Sequence, residues 1–540
     1  MEELTKACKL LDSALERYYN ACVALELEVY HDFAQVDLHG TFLENLADKL
    51  SKSMSHQKRL KQSEMALCRV RNHSPSFVPI SALPPEVLIR IFNMLHSCCF
   101  ESRKKLQLAV PVYPDTLAWV CSRWRRIAIS SRVLWSHIDL SPCKGHNQRL
   151  LSRGNTFASR SAQLPLDLHI GGSDGPCSSE NLARFCAEIG MRVRSLKVFS
   201  PDADRFKEIY TPVFNACFMH CGPGILEHLA VWGESSRYSF IWSARENNYL
   251  QEFTTNTQTK AIRSHIDELL IGVRVLDLGV NCIPPESRAY CGLVELHLMG
   301  SDRDMRFTEA QFLRILAASP KLRILHLDVS IRDASTSPPR VQLNELDVLF
   351  LSWAEDKTNL IRLLYPGAPS LKLILDARNR LSMSRSAATE FIKLFERSNV
   401  TELYVHHIMG TPGCGEALFN PFHLLELAPH LQTLAISGID INRSFRRLTN
   451  HPGSILNTAR LLHTLHLAEA SIDWISCLEL VRTYGVQEIT IWDCTLYKIE
   501  GDSRIQQDQE VIRSIFADMC PETRILKDSI LKLAGVHEEK

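Results

Sequence analysis

The sequence has no long apolar run, no surplus of charge and no spaced set of cysteines, and each absence removes a class of function. No stretch approaches about 18 consecutive apolar residues, so no membrane-spanning helix is expected. Lysine plus arginine number 61, and so do aspartate plus glutamate. A nucleic-acid-binding surface ordinarily leaves a basic surplus, so nucleic acid is not an expected partner. Local runs such as Arg103-Lys104-Lys105 read as solvated loop charge. The 17 cysteines are scattered, and the one close pair, Cys217-Phe-Met-His-Cys221, lacks a second pair at metal spacing. The opening MEELTKACKLLDS is polar and charged, unlike a secretory signal. Reduced thiols in cytoplasm or nucleus are therefore expected. Phosphate-binding and zinc-hydrolase patterns are missing, and Gly410-Thr-Pro-Gly-Cys-Gly415 lacks the third glycine of a nucleotide fingerprint. No nucleophile is paired with a base. The expectation is a protein that is not an enzyme and needs no metal or cofactor.

What is present falls into regions. Within residues 1–70, Leu4, Cys8, Leu11, Leu15, Tyr18, Cys22, Leu25 and Val29 alternate steps of four and three, about the minimum seam for a coiled coil. After His39-Gly40 a second helix keeps Leu43, Leu46, Leu50, Leu60 and Leu67 but puts Ser53, Gln57 and Glu64 into the same seam. The segment reads as a helical hairpin or a coiled coil. Residues 71–79, with Pro75 and Pro79, read as a linker.

Residues 80–140 are dense in large apolar side chains. Leu83, Val87, Leu88, Ile91, Phe92 and Leu95 follow helical spacing behind Pro84 and Pro85, which suit a first helical turn. A second helix is expected from Asp115, with Leu117, Val120, Cys121, Trp124, Ile127 and Ala128 on one side. A short third carries Val133, Leu134 and Trp135. Sixty residues cannot hide this much apolar surface internally, so a partner is expected. ISALPPEVLIRIF followed by LAWVCSRWRRIAISSRVLWSHIDL resembles an F-box domain in the form common among fungal F-box proteins. The L-P-P-E-V-L start, the V-C-x-x-W centre and the terminal L-W occur in order, over about a ninth of the chain. The 97–114 segment is longer than the usual connection. The resemblance implies docking onto the Skp-type adaptor of an SCF ubiquitin ligase, and through it a cullin. Carried over residue by residue, it implies adaptor contacts at Leu83, Pro84, Leu88, Ile91, Phe92, Val120, Trp124 and Trp135.

From residue 158 to 540 a short motif, L-x-x-L-x-L, recurs. It appears as VRSLKVFS (193), LEHLAVWG (226), LQEFTTNT (250), VRVLDLGV (273), LVELHLMG (293) and LRILHLDV (322). LDVLFLSW (346), LKLILDAR (371), VTELYVHH (400), LQTLAISG (431), LHTLHLAE (462) and VQEITIWD (486) follow. Starts lie 20 to 33 residues apart, near the spacing of leucine-rich repeats, with helical patterns between several of them. LPLDLHI, near residue 166, is expected to supply a first strand or cap. The region resembles the degenerate leucine-rich repeats of fungal F-box proteins. The expected fold class is α plus α/β: an N-terminal helical or coiled-coil segment, a three-helix F-box, then a leucine-rich-repeat-like solenoid with a parallel sheet.

In such a motif the leucines point inward and the residues between them line an open sheet face. That face is the expected target-binding surface, with Asp277, Glu295, His297, His326, Phe350, Tyr404, His406, His466 and Trp492. Asp277, His297 and His326 hold one slot on successive strands, a row weighed as a metal site and set aside for lack of a facial arrangement. The expected function is a substrate-recognition subunit of an SCF-type ubiquitin ligase, with an unidentified protein target and no membrane partner. The alternative is a scaffold that binds the adaptor and a partner protein outside any ligase.

Overall fold

The computed structural model describes residues 1–31, 40–73, 78–94, 113–171, 178–200, 206–233, 257–278, 283, 285–299, 306–336, 338–352, 358–376, 385–406, 428, 430–438, 462–500, 503–506, 509–517, 520 and 522–526. All but the last residue of the motif LQEFTTNT and most of the 97–114 segment lie outside them. The chain divides into two compact units, Met1–Leu88 and Ile89–Lys540. Among the described residues, no helix is long and apolar enough to cross a membrane.

In the first unit, α1 (Glu2–His31) and α2 (Gly40–His73) are long and almost wholly exposed. Leu4, Leu11, Leu15, Tyr18 and Leu25 of the α1 seam all stay exposed, as do Leu43, Leu46, Leu50, Leu60 and Leu67 of α2. Neither seam is fully buried. Helix α3 covers residues 85–94, beginning at Pro85 as its ring and missing N–H allow.

In the second unit, the helix expected from Asp115 is two helices, α4 (Asp115–Val120) and α5 (Ser122–Ser130). Cys121 between them is fully extended, with φ −158° and ψ 170°, and its Sγ accepts the Trp124 N–H at 3.4 Å as a cap for α5. The break turns α5 to aim Ile127 and Ala128 inward, while Trp119 and Val120 stay outside. Val133, Leu134 and Trp135 lie in a single 3₁₀ turn.

The rest of the unit is built on one sheet of 14 strands, all parallel and in chain order. They are β1 (His137–Leu140), β2 (Leu166–Gly171), β3 (Val193–Ser200), β4 (His228–Gly233), β5 (Val275–Leu278), β6 (Glu295–Met299) and β7 (Ile324–Asp328). Then come β8 (Val348–Ser352), β9 (Leu371–Asp376), β10 (Val400–His406), β11 (Thr433–Ser437), β12 (Thr464–Ala468), β13 (Glu488–Trp492) and β14 (Glu522–Leu526). Eleven of the twelve motifs quoted from the sequence supply strands of this sheet. LPLDLHI supplies β2, and the sheet begins one strand earlier, at His137, inside the segment expected to be purely helical.

The register explains why the sheet forms. Leu168, Leu196, Leu229, Leu276, Leu296, Leu325, Leu349, Leu373, Leu403, Leu434 and Leu465 align strand to strand in one buried column. A second buried column, two residues on, runs from Leu140 and Ile170 to Ile491 and Ile525. Because strand order equals chain order, right-handed crossovers put every connecting helix on the same side, over these columns. There α6 (Lys144–Arg160) comes close enough to β1 that a side chain at Gly154 would meet Ile138 and Leu140 at 3.3–3.4 Å. The other face carries the residues between the leucines.

Candidate functional site

That second face reads as a ladder across the sheet. Its central column is Asp139, His169, Lys197, Ala230, Asp277, His297, His326, Phe350, Ile374, Tyr404, Ala435, His466, Thr490 and Arg524, each registered on the next. Successive members are close enough to pack on one another, and the chemistry changes along the row.

Near its middle the column is polar. The Trp232 indole donates to Asp277 Oδ1 at 2.9 Å. His297 stands 3.7 Å from Asp277 Oδ2 through Nδ1 and 2.7 Å from Glu295 Oε1 through Nε2. That hydrogen bond, with the histidine's charge, holds the Glu295 carboxyl below its ordinary range despite partial burial. His297 lies face to face with His326, centroids 3.9 Å apart at 20°. Imidazole lone pairs lie in the ring plane, and two nearly parallel planes share no point where an ion could sit. The Asp277–His297–His326 row therefore has the geometry of a stack rather than a metal site.

Beyond His326 the column turns apolar. His326 contacts Phe350 at 5.0 Å, and Phe350, Ile374, Tyr404 and Ala435 form a buried cluster flanked by Met299 and Val348. Lys372 Nζ sits 4.4 Å over the Tyr404 ring. Burial, with Glu402 beside it, pushes the Tyr404 hydroxyl well above its ordinary range. Phe350 and Tyr404, expected as exposed anchors, are thus packed: parallel registry sets each ring against its neighbours, which cover it. Asp277, Glu295, His297, His326, His406, His466 and Trp492 remain half-buried, and His406 Nδ1 meets Ser437 Oγ at 2.8 Å. Phe350→Ala should cost about 3–5 kcal/mol of stability in a denaturant titration, as a buried aromatic does. A change under about 1 kcal/mol would contradict the packed ladder.

Two sheet histidines, His466 of the column and His228 two residues before Ala230 on β4, give the unit a pH dependence. Desolvation holds His228 and His466 below the ordinary value of 6.5. The unfolded chain therefore takes up protons first, and stability falls as pH drops from about 6.5 through the lower folded-state values. Thermal midpoints measured at stepwise lower pH should decline in that window, and His466→Asn should flatten the slope.

The helical part of the second unit places the other expected residues. Phe92 is fully buried and packs on the partly buried Trp124, with ring centroids 4.8 Å apart. The Tyr113 hydroxyl donates to the Phe92 carbonyl. Trp135 is fully buried too: its Nε1 donates to Ala128 O at 2.7 Å, Phe157 meets it edge-on at 4.9 Å, and the Arg160 guanidinium covers its ring at 4.3 Å. Ile91 is half-buried. In the first unit Leu88 is fully buried, Leu83 half-buried and Pro84 exposed. Leu88, Phe92 and Trp135 are spent on the chain's own packing and offer no outer surface. Val120 is exposed, and so are Val133, Met94, Trp119 and Ile129, the last three of which the sequence reading passed over. Three tryptophans within 17 residues, in a module too small to bury all of them, were the available signal.

Two motif-level questions are answered by placement. Cys217 and Cys221 lie buried on α8 (Phe206–His220) and just after it, where Cys186 and desolvation push Cys217 up and desolvation carries Cys221 to about 11. Both are core thiols rather than thiolate ligands. The sequence also spells one G-x-S-x-G, Gly171-Gly-Ser-Asp-Gly175, missed in the sequence reading. A nucleophile elbow needs the helix to start directly after the motif, whereas α7 (Glu180–Ile189) starts at Glu180; Ser173 itself lies outside the described residues. Comparison of the chain with protein-family models and with curated proteins found no match.

Proposed function

We propose that the chain is a substrate-recognition subunit of an SCF-type ubiquitin ligase. In this reading residues 80–140 are an F-box domain docked on a Skp-type adaptor, and the repeats are a leucine-rich-repeat-like solenoid that holds a target protein. The observation that carries the proposal is an exposed apolar surface on a small helical module whose interior is already filled. Trp119 and Val120 are 68% and 60% exposed, and Ile129 and Val133 are also exposed, while Phe92, Ile127, Leu134 and Trp135 fill the inside. Single exposed apolar residues are ordinary, but a tryptophan and three branched aliphatics within one short stretch support reading it as an interaction surface. The motif order described above supports a Skp-type protein as its occupant.

The ladder supports the other half. It pairs a rigid, packed centre with half-buried histidines, carboxylates and Trp492, a mixed surface of the kind that fixes register with a protein partner. The chain would contribute no chemistry of its own. It would raise the effective concentration of a target lysine beside the transferring subunits. Titrating the purified full chain with a purified Skp-type adaptor tests the reading: saturable one-to-one binding supports it, and no binding at the highest attainable concentration refutes it.

A further inference from the structure

The first two strands of the sheet hold a cluster that the proposed function does not use. His137 and Asp139 lie two residues apart on β1 and so share a face, and β2 registers His169 directly opposite Asp139. Asp139 Oδ1 stands 3.3 Å from His137 Nε2 and 3.8 Å from His169 Nδ1. One ligand atom from each of the three lies within 4.8 Å of the others, the one such group of three among the described residues. Their side chains are only 8%, 12% and 9% exposed.

We propose that His137, Asp139 and His169 bind a divalent transition-metal ion of the zinc class. Ring orientation separates this cluster from the stacked pair further along the sheet. The His137 and His169 rings stand at 89°, centroids 3.9 Å apart. Perpendicular ring planes cross along a line, so a single point can lie in both planes, as one ion shared by two imidazoles requires. Ligand atoms around a tetrahedral ion at ordinary zinc distances sit roughly 3.3 Å apart, so the two measured separations are near the bound geometry. Two imidazoles and a carboxylate are a donor set that zinc and its first-row neighbours accept, with a further position left for water. Beyond the ligands, Arg153 Nη1 lies 3.8 Å from Asp139 Oδ2, on the oxygen away from the cluster, and orients the carboxylate. Its charge is already offset by Asp115, 2.8 Å from its Nε. The ion would pin the edge strand β1 to β2 just where the helical module runs into the sheet.

The test uses the full chain, stripped with a chelator and reloaded with Zn²⁺ or Co²⁺ alone. One tight equivalent is expected, with a Co²⁺ absorption spectrum free of sulfur charge-transfer bands. The His137→Asn/His169→Asn double variant should bind at least about 100-fold more weakly while keeping the wild-type circular dichroism, since even outer partners of a metal site cost 10–100-fold. No tight equivalent, an equivalent ligated by sulfur, or unchanged affinity in the double variant would each overturn the proposal. Should that variant fail to fold, Asp139→Asn keeps the side-chain volume and should still weaken binding at least about tenfold. Unchanged affinity there overturns it equally.

Discussion

Replacing Trp119 and Val120 together by aspartate should lower affinity for a Skp-type adaptor by at least about 100-fold. Both side chains are mostly exposed, so the substitutions remove little internal packing and place charges where water already reaches. An interfacial tryptophan is commonly worth 2 kcal/mol or more, and a charge forced into an apolar interface adds a desolvation cost. At about 1.4 kcal/mol per tenfold, the two together exceed a hundredfold. The thermal midpoint should stay within about 2 °C of wild type. Calorimetric titration of the variant against the adaptor, beside a melting curve, reads both quantities. Wild-type affinity in the variant would show that the module docks elsewhere, or not at all.

The opposite pattern is expected for the buried positions. Phe92→Ala should cost about 3–5 kcal/mol of stability, because the ring is fully buried and packs on Trp124. Leu88→Asp should cost at least as much, since a fully buried leucine would become an unpaired carboxylate. Either variant can lose the adaptor, but through unfolding of the module, which the loss of its cooperative transition would reveal. A Leu88→Asp protein that melts like wild type yet fails to bind would instead make Leu88 a contact in its own right. It would then have to leave the interior when the partner arrives. The two pairs of substitutions thus separate an outer docking surface from an inner one.

Residues legible from the sequence were those whose role follows from periodicity. The leucine columns had to lie on one face once L-x-x-L-x-L repeated, and parallel registry in chain order followed from strands alternating with helices. The residues between them were placed on the correct face, but their burial was not. Whether Phe350 or Tyr404 meets solvent depends on what stands one strand away, and single-chain periodicity says nothing of lateral neighbours. The break at Cys121 was hidden for another reason: residues 115–130 carry no proline or glycine, and the extended cysteine is held by its own cap to Trp124. That break moved Trp119 outward and made it the most exposed tryptophan of the module. The His137–Asp139–His169 group was invisible because its members come from the end of one expected domain and the start of the next, and only the β1–β2 register joins them.

The most direct test of the central claim is affinity purification of the full chain from its native cell, with Trp119→Asp/Val120→Asp run in parallel. Wild type should bring down a Skp-type adaptor together with a cullin, and the variant should bring down neither while remaining folded. A wild-type sample carrying no adaptor would contradict the account, and one carrying adaptor without cullin would leave a scaffold in place of a ligase subunit.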